Sequence, residues 1–139
     1  MKYVAIPFLL TLLSTGVDAA SFEVKGLRNR QGQVICTLYL NAAGFPAEPE
    51  KAAGQKIVPI SDDNRATCDF DVAAGTVIAV AVLHDEDRNG QMKTNFIGIP
   101  PEGWAASNNA EAQTFGPPRF DDAKLSATDD LRQVLSVNY

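Results

Sequence analysis

Apolar and polar residues alternate along much of the chain with a period of two. Ser21 to Leu27 sets Phe22 and Val24 on one side. Gln33 to Leu40 lines up Val34, Cys36, Leu38 and Leu40, and Ala66 to Val72 does the same with Cys68, Phe70 and Val72. This period belongs to strands with one face in a core and the other towards water. Lys56 to Ile60 and Leu131 to Tyr139 read as two more strands. Thr76 to Leu83 is apolar on both faces, which predicts a central strand covered from both sides. Turn signals separate these runs: Arg28 to Gly32, Ala43-Gly44-Phe45-Pro46, Ser61 to Asn64 and Ala73-Ala74-Gly75. Glu48 to Gly54 has room for one helical turn, and no stretch sustains a period of 3.6. Short strands at this spacing predict an all-β fold, an antiparallel β-sandwich or a small barrel.

One region breaks the rhythm. From His84 to about Ala123 the chain is rich in Gly, Pro and Asn, and reads as a long connection without strands or helices of its own. Connections of that length are functional or disordered. Phe96, Ile97, Ile99, Trp104, Phe115 and Phe120 argue for order, because they should pack the loop onto the sandwich.

The first residues bear on location. Met1-Lys2 is a short positive start, Val4 to Leu13 is an apolar run, and Val17-Asp18-Ala19 is a small-residue cleavage pattern. Together they predict a secretory signal peptide over residues 1–19, leaving one β-sandwich domain over residues 20–139. The apolar run is shorter than the about 20 residues a membrane helix needs, so no membrane span is expected. The chain carries 12 Lys and Arg against 17 Asp and Glu, a net charge of -5. Losing residues 1–19 removes one Lys and one Asp and leaves that balance unchanged. A mildly acidic surface argues against nucleic acid as a partner. No Asn-x-Ser/Thr sequon occurs, which points to a secreted or periplasmic bacterial protein rather than a glycosylated one.

In an oxidising compartment the only two cysteines, Cys36 and Cys68, are expected to pair. Each sits on the apolar face of its strand, so the bridge would join two strands through the core. No His or Cys companion lies nearby in sequence to suggest a metal role for them.

The chemistry-bearing residues cluster where the long connection begins. Asp85, Asp87 and Asn89 are spaced by two and followed by Gly90, the opening of a D-x-D-x-N-G calcium loop. Calcium takes six to eight hard oxygens, and alternating oxygen side chains in a tight loop converge three of them, with the Gln91 carbonyl as a fourth. Lys93 and Phe96 stand where further ligands would be, so water, Asn95 or Glu102 would have to complete the cage. The second reading is a plain turn, since Asn-Gly favours positive φ and acidic residues solvate turns. His84, the only histidine, is a general-base or ligand candidate, but no nucleophile accompanies it and Ser107 sits in no recognised elbow. Trp104 with Phe96 and Phe115 offers either a sugar- or peptide-binding platform or packing for the loop.

Several segments carry a specific resemblance. Ala79-Val80-Ala81-Val82-Leu83-His84-Asp85-Glu86-Asp87-Arg88-Asn89-Gly90 comes first. Thr94-Asn95-Phe96-Ile97-Gly98-Ile99-Pro100, Glu102-Gly103-Trp104, Ser107-Asn108-Asn109 and Phe115-Gly116-Pro117-Pro118 follow. With Gly26-Leu27, Gly32-Gln33-Val34 and Gly44-Phe45-Pro46, they resemble the uncharacterised family called domain of unknown function 2141, from about Ser21 to Tyr139. The resemblance implies an exported sandwich of prealbumin-like or immunoglobulin-like kind and no activity. Its members often read D-x-N-x-N-G-x-x-D in the loop; this chain matches at Asp85, Asn89 and Gly90, has Asp87 in place of the first Asn, and departs at Lys93.

The combined expectation is an exported, disulfide-bridged β-sandwich with one long ordered loop and no enzymatic activity. It needs no cofactor, with calcium as the candidate ion at Asp85, Asp87, Asn89 and Gln91. Its partner, of unknown identity, is an envelope protein, a peptide or a carbohydrate met at His84, Phe96, Trp104 and Phe115. The alternative from another class is a small hydrolytic or metal-dependent enzyme centred on His84, Asp85 and Asp87, and a third reading is a purely structural, envelope-associated domain with no ligand. Intact mass of protein recovered from the export compartment should lack residues 1–19 and two hydrogens; free thiols after denaturation without reductant would contradict the bridge.

Overall fold

The computed structural model describes residues 17–90, 102–128 and 130–139. The expected signal segment up to residue 16 and positions Gln91, Lys93, Asn95 and Phe96 lie outside them. The described residues form eight strands: β1 (Val17–Lys25), β2 (Gln33–Tyr39), β3 (Gly54–Val58), β4 (Ala66–Ala73), β5 (Val77–Asp85), β6 (Trp104–Ala106), β7 (Leu125–Ser126) and β8 (Leu131–Ser136). They form two sheets, one ordered β4-β1-β8 and one ordered β3-β2-β5-β6, with β7 also on β5. This is an all-β sandwich, and its pairs are antiparallel apart from β1 with β8, which is parallel. A parallel pair between the first and last strands needs a long crossover, and the intervening chain supplies it.

The core between the sheets follows the period-two pattern. Phe22 and Val24 of β1, Val34, Cys36 and Leu38 of β2, and Cys68, Phe70 and Val72 of β4 all point inward. Ile78, Val80 and Val82 of β5 meet them from the larger sheet. Leu40, expected on the same face as Cys36, lies one residue past the end of β2 and is exposed. Cleavage after Ala19 would keep the β1–β4 register from Ala20↔Phe70 onwards and the whole β1–β8 register, which starts at Ala20↔Leu131.

β5 is buried along both faces, as its composition predicts. On its outer face Ala79 is covered by segments that read as loop in sequence, and the same segments wall the space over Ala81 and Leu83. Here the expectation of a connection without structure needs correcting. Trp104–Ala106 extends the sheet, Ser107–Asn109 is a 3-10 turn, and Phe120–Ala123 forms a one-turn helix, α1. All are too short to leave a periodic trace in sequence. Ser107 is a buried fastener: its Oγ accepts from the Val80 amide at 2.9 Å and donates to the Ala123 carbonyl at 2.6 Å. Asn108 and Asn109, both at positive φ, tie the same turn to Lys124 and to β8. The predicted turn near Glu48 is a 3-10 turn at Pro49–Lys51. Phe45 before it packs edge-on against Tyr39 and Phe120, at 5.3 and 5.8 Å between ring centroids. Phe120 therefore does the packing expected of it. Phe115 does not: it is 99% exposed at the tip of its turn.

Cys36 and Cys68 are bridged, with their Cα atoms 6.4 Å apart. The bond links β2 to β4, and so joins the two sheets through the centre of the core. With its ends 32 positions apart in sequence, such a cross-link contributes roughly 3–4 kcal/mol in the chain-entropy model. The double variant Cys36→Ala/Cys68→Ala should therefore unfold in urea with a stability lower by about that amount. A loss below about 1 kcal/mol would show that the packed core alone holds the sheets together.

Candidate functional site

The residues singled out in sequence meet at the end of β5, but they divide between the two faces of the strand. Even-numbered Val80 and Val82 point into the core, and His84 follows them. Odd-numbered Ala81 and Leu83 point outward, and Asp85 follows those. Successive side chains of a strand alternate, so neighbours in sequence do different work here.

His84 is fully buried. Its Nδ1 lies 2.7 Å from the Tyr139 hydroxyl and its Nε2 lies 2.8 Å from the Gln31 carbonyl oxygen. A carbonyl only accepts, so Nε2 carries the proton. The Tyr139 oxygen accepts from the Arg28 amide at 3.0 Å and donates its own proton to Nδ1. The Arg28 guanidinium lies over the Tyr139 ring at 4.5 Å and pairs with Glu86 at 2.6 Å. Burial pushes the Tyr139 phenol above its ordinary pKa, so it keeps the proton this network needs. Both ring nitrogens of His84 are thus committed to holding the Arg28–Gly32 turn and the C-terminus against the end of β5.

Asp85, also fully buried, organises the turn that follows. Its Oδ2 accepts from the Gly90 amide at 2.9 Å and from Gln33 Nε2 at 3.0 Å, and its Oδ1 accepts from the Asn89 amide at 3.1 Å. Asp87 Oδ1 accepts from the same Asn89 amide at 3.3 Å. Asn89 thus takes part through its backbone. The turn is compact because Arg88 and Gly90 adopt positive φ; Asn89 between them does not, so the pair is not the Asn-Gly hairpin turn that the plain-turn reading expects.

The strand that sequence did not show brings the third carboxylate. β6 pairs with β5 at Leu83↔Trp104, Val82↔Ala105 and Ala81↔Ala106, and the His84 amide donates to the Gly103 carbonyl at 2.7 Å. Continued by two residues, this antiparallel register sets Glu102 opposite Asp85 on the outer face. Carboxylate oxygens of Asp85, Asp87 and Glu102 all lie within 4.8 Å of one another, with Glu102 only 6% exposed. Two oxygens bound to one calcium at about 2.3–2.6 Å each can be at most about 5 Å apart, so this spacing suits a shared cation. Three like charges so close repel one another, and a divalent ion would reverse that term.

The aromatic candidates separate. Trp104 stays beside the acidic group, half-buried on the outer face, and its amide donates to the Asn138 carbonyl at 2.9 Å. Phe115 sits on a different turn, closed by a 3.1 Å hydrogen bond from Gln113 Nε2 to the Pro117 carbonyl. Phe96 and Gln91 lie outside the described residues.

A two-sheet all-β domain with a carboxylate cluster at one strand end is the class these features define. The chain belongs to the family described as "Uncharacterized protein conserved in bacteria (DUF2141)", whose model matches residues 22–134 of the 139. It matches no curated protein and no solved structure. Among the described residues, no helix is long and apolar enough to cross a membrane.

Gly32 is the tightest point beneath the site. It has φ +73°, and a Cβ there would overlap the Asp85 carbonyl oxygen and the Glu86 backbone. Gly90 has a similar φ of +74° but open space around it. Gly32→Ala should therefore cost at least about 2 kcal/mol, from left-handed strain plus displaced backbone, and Gly90→Ala only about 1 kcal/mol. Urea unfolding of the two variants checks this; equal losses would mean that the Gly32 turn yields freely.

Proposed function

We propose that the protein works outside the cytoplasm as a non-catalytic binding domain, and that Asp85, Asp87 and Glu102 hold a calcium ion. The observation that carries this reading is the convergence of three carboxylates within 4.8 Å, two of them buried. The residues fit the ion: calcium prefers hard oxygens in flexible numbers, and backbone carbonyls of the turn and water can supply the rest. The cage draws its third carboxylate from across the sheet, in place of a ligand later in the loop. A bound ion would therefore pin the 85–90 turn to the start of β6. His84 speaks against the enzyme alternative, because Tyr139 and Gln31 occupy both ring nitrogens and leave it no atom to exchange protons with a substrate.

A cage with few protein ligands binds calcium in the roughly 10⁻⁴–10⁻³ M range of extracellular modules. Raising calcium to about ten to a hundred times that constant should stabilise the fold by about 1–3 kcal/mol through mass action. Asp87→Ala and Glu102→Gln should each remove the effect, and Asp87→Ala should leave the calcium-free protein folded because Asp87 is exposed and outside the core. Thermal unfolding with calcium and with chelator measures both. Identical melting temperatures would leave the segment as a plain turn.

A further inference from the structure

The outer face of the larger sheet carries a second feature that owes nothing to the carboxylates. A cleft of about 550 Å³ runs over it, floored by Ile35, Ala81 and Leu83 and walled by Pro46, Trp104 and Pro117. Its volume lies in the range of small-molecule sites, which are mostly apolar with a few placed polar groups. The polar groups here are sparse. Thr37 Oγ1 accepts from Gln55 Nε2 at 3.2 Å, so that pair is largely satisfied. Tyr39, at 1% exposure, also lines the cleft, and its hydroxyl has no hydrogen-bond partner among the described residues. A buried hydroxyl without a partner is costly to keep, and an acceptor brought by a ligand would relieve it.

The charge on the walls selects among ligands. Glu50 is the one charged side chain among the described lining residues, with no Lys, Arg or His to receive an anion. The chain as a whole is also negative, at -5. We infer that this cleft is a binding site for an uncharged, largely apolar small molecule that offers one hydrogen-bond acceptor to the Tyr39 hydroxyl. The inference is independent of calcium, since the lining includes none of the three carboxylates.

Trp104 is the only tryptophan of the chain and lines the cleft, so it reports occupancy directly. The probe is the neutral fluorophore N-phenyl-1-naphthylamine, titrated into the intact protein in chelator while energy transfer from Trp104 is followed. Saturable one-to-one transfer is expected. Ala81→Leu on the floor, or Ala112→Leu on the exposed rim should the first variant fold poorly, should weaken it at least tenfold. In competition, 2-acetylnaphthalene should displace the probe at least fivefold better than 2-ethylnaphthalene, and Tyr39→Phe should erase that preference. Absence of saturable transfer, or unchanged binding by folded Ala81→Leu and Ala112→Leu, overturns the site. Tighter binding of the anionic 8-anilinonaphthalene-1-sulfonate, or a preference that survives Tyr39→Phe, overturns the ligand class. None of these outcomes bears on the cation, because calcium is absent throughout.

Discussion

The structure depends on covering β5 from both sides. A strand that is apolar on both faces is poorly placed at a solvated sheet surface, since each exposed Val, Ile or Leu would forgo about 1.5–3 kcal/mol of burial and each Ala about 0.8 kcal/mol. Ile78, Val80 and Val82 solve one half by meeting the smaller sheet through the core. Ala79 meets the other half by packing beneath the segments that follow β5 in sequence, and those segments wall the cleft over Ala81. That outer layer is why the chain leaves the simple alternation of strand and turn after His84. It is also why the carboxylates and the cleft share one face.

Anchoring that layer takes polar contacts placed at each end of the strand. At one end, Ser107 holds the Val80 amide and the Ala123 carbonyl together, so a single hydroxyl satisfies two buried backbone groups that would otherwise be costly. At the other, His84 and Tyr139 lock the first turn and the chain terminus to the edge of the core. The disulfide joins the sheets between them. The 85–90 turn is therefore held in a rigid frame while its own carboxylates face outward, the arrangement an ion site needs if its ligands are to be set before the ion arrives.

What was legible in the sequence follows from the length of each pattern. β2, β4 and β5 run seven to nine residues, long enough for alternation or double-sided burial to show, and their inward residues were readable one by one. The Cys36–Cys68 pair was readable because both residues lie on those inward faces. The Asp85-x-Asp87-x-Asn89-Gly90 spacing named two of the three clustered carboxylates. Glu102 was visible only as one of several residues able to complete a cage, because its place depends on the β5–β6 register, and a three-residue strand leaves no period to read. The parallel β1–β8 pair was hidden for a related reason: alternation assigns faces, not neighbours. Phe115 misled because its apolar character promised packing, whereas its turn projects it into solvent.

The central claim is that a register across the sheet, and not the loop alone, builds a calcium site. The most direct measurement is a high-resolution crystal structure grown in millimolar calcium, with anomalous scattering used to locate the ion. The account predicts one peak bonded to carboxylate oxygens of Asp85, Asp87 and Glu102 at about 2.3–2.6 Å, with β6 still paired to β5 at Leu83↔Trp104. A peak held by the 85–91 loop without Glu102, or no peak while the three carboxylates stay together, would contradict it.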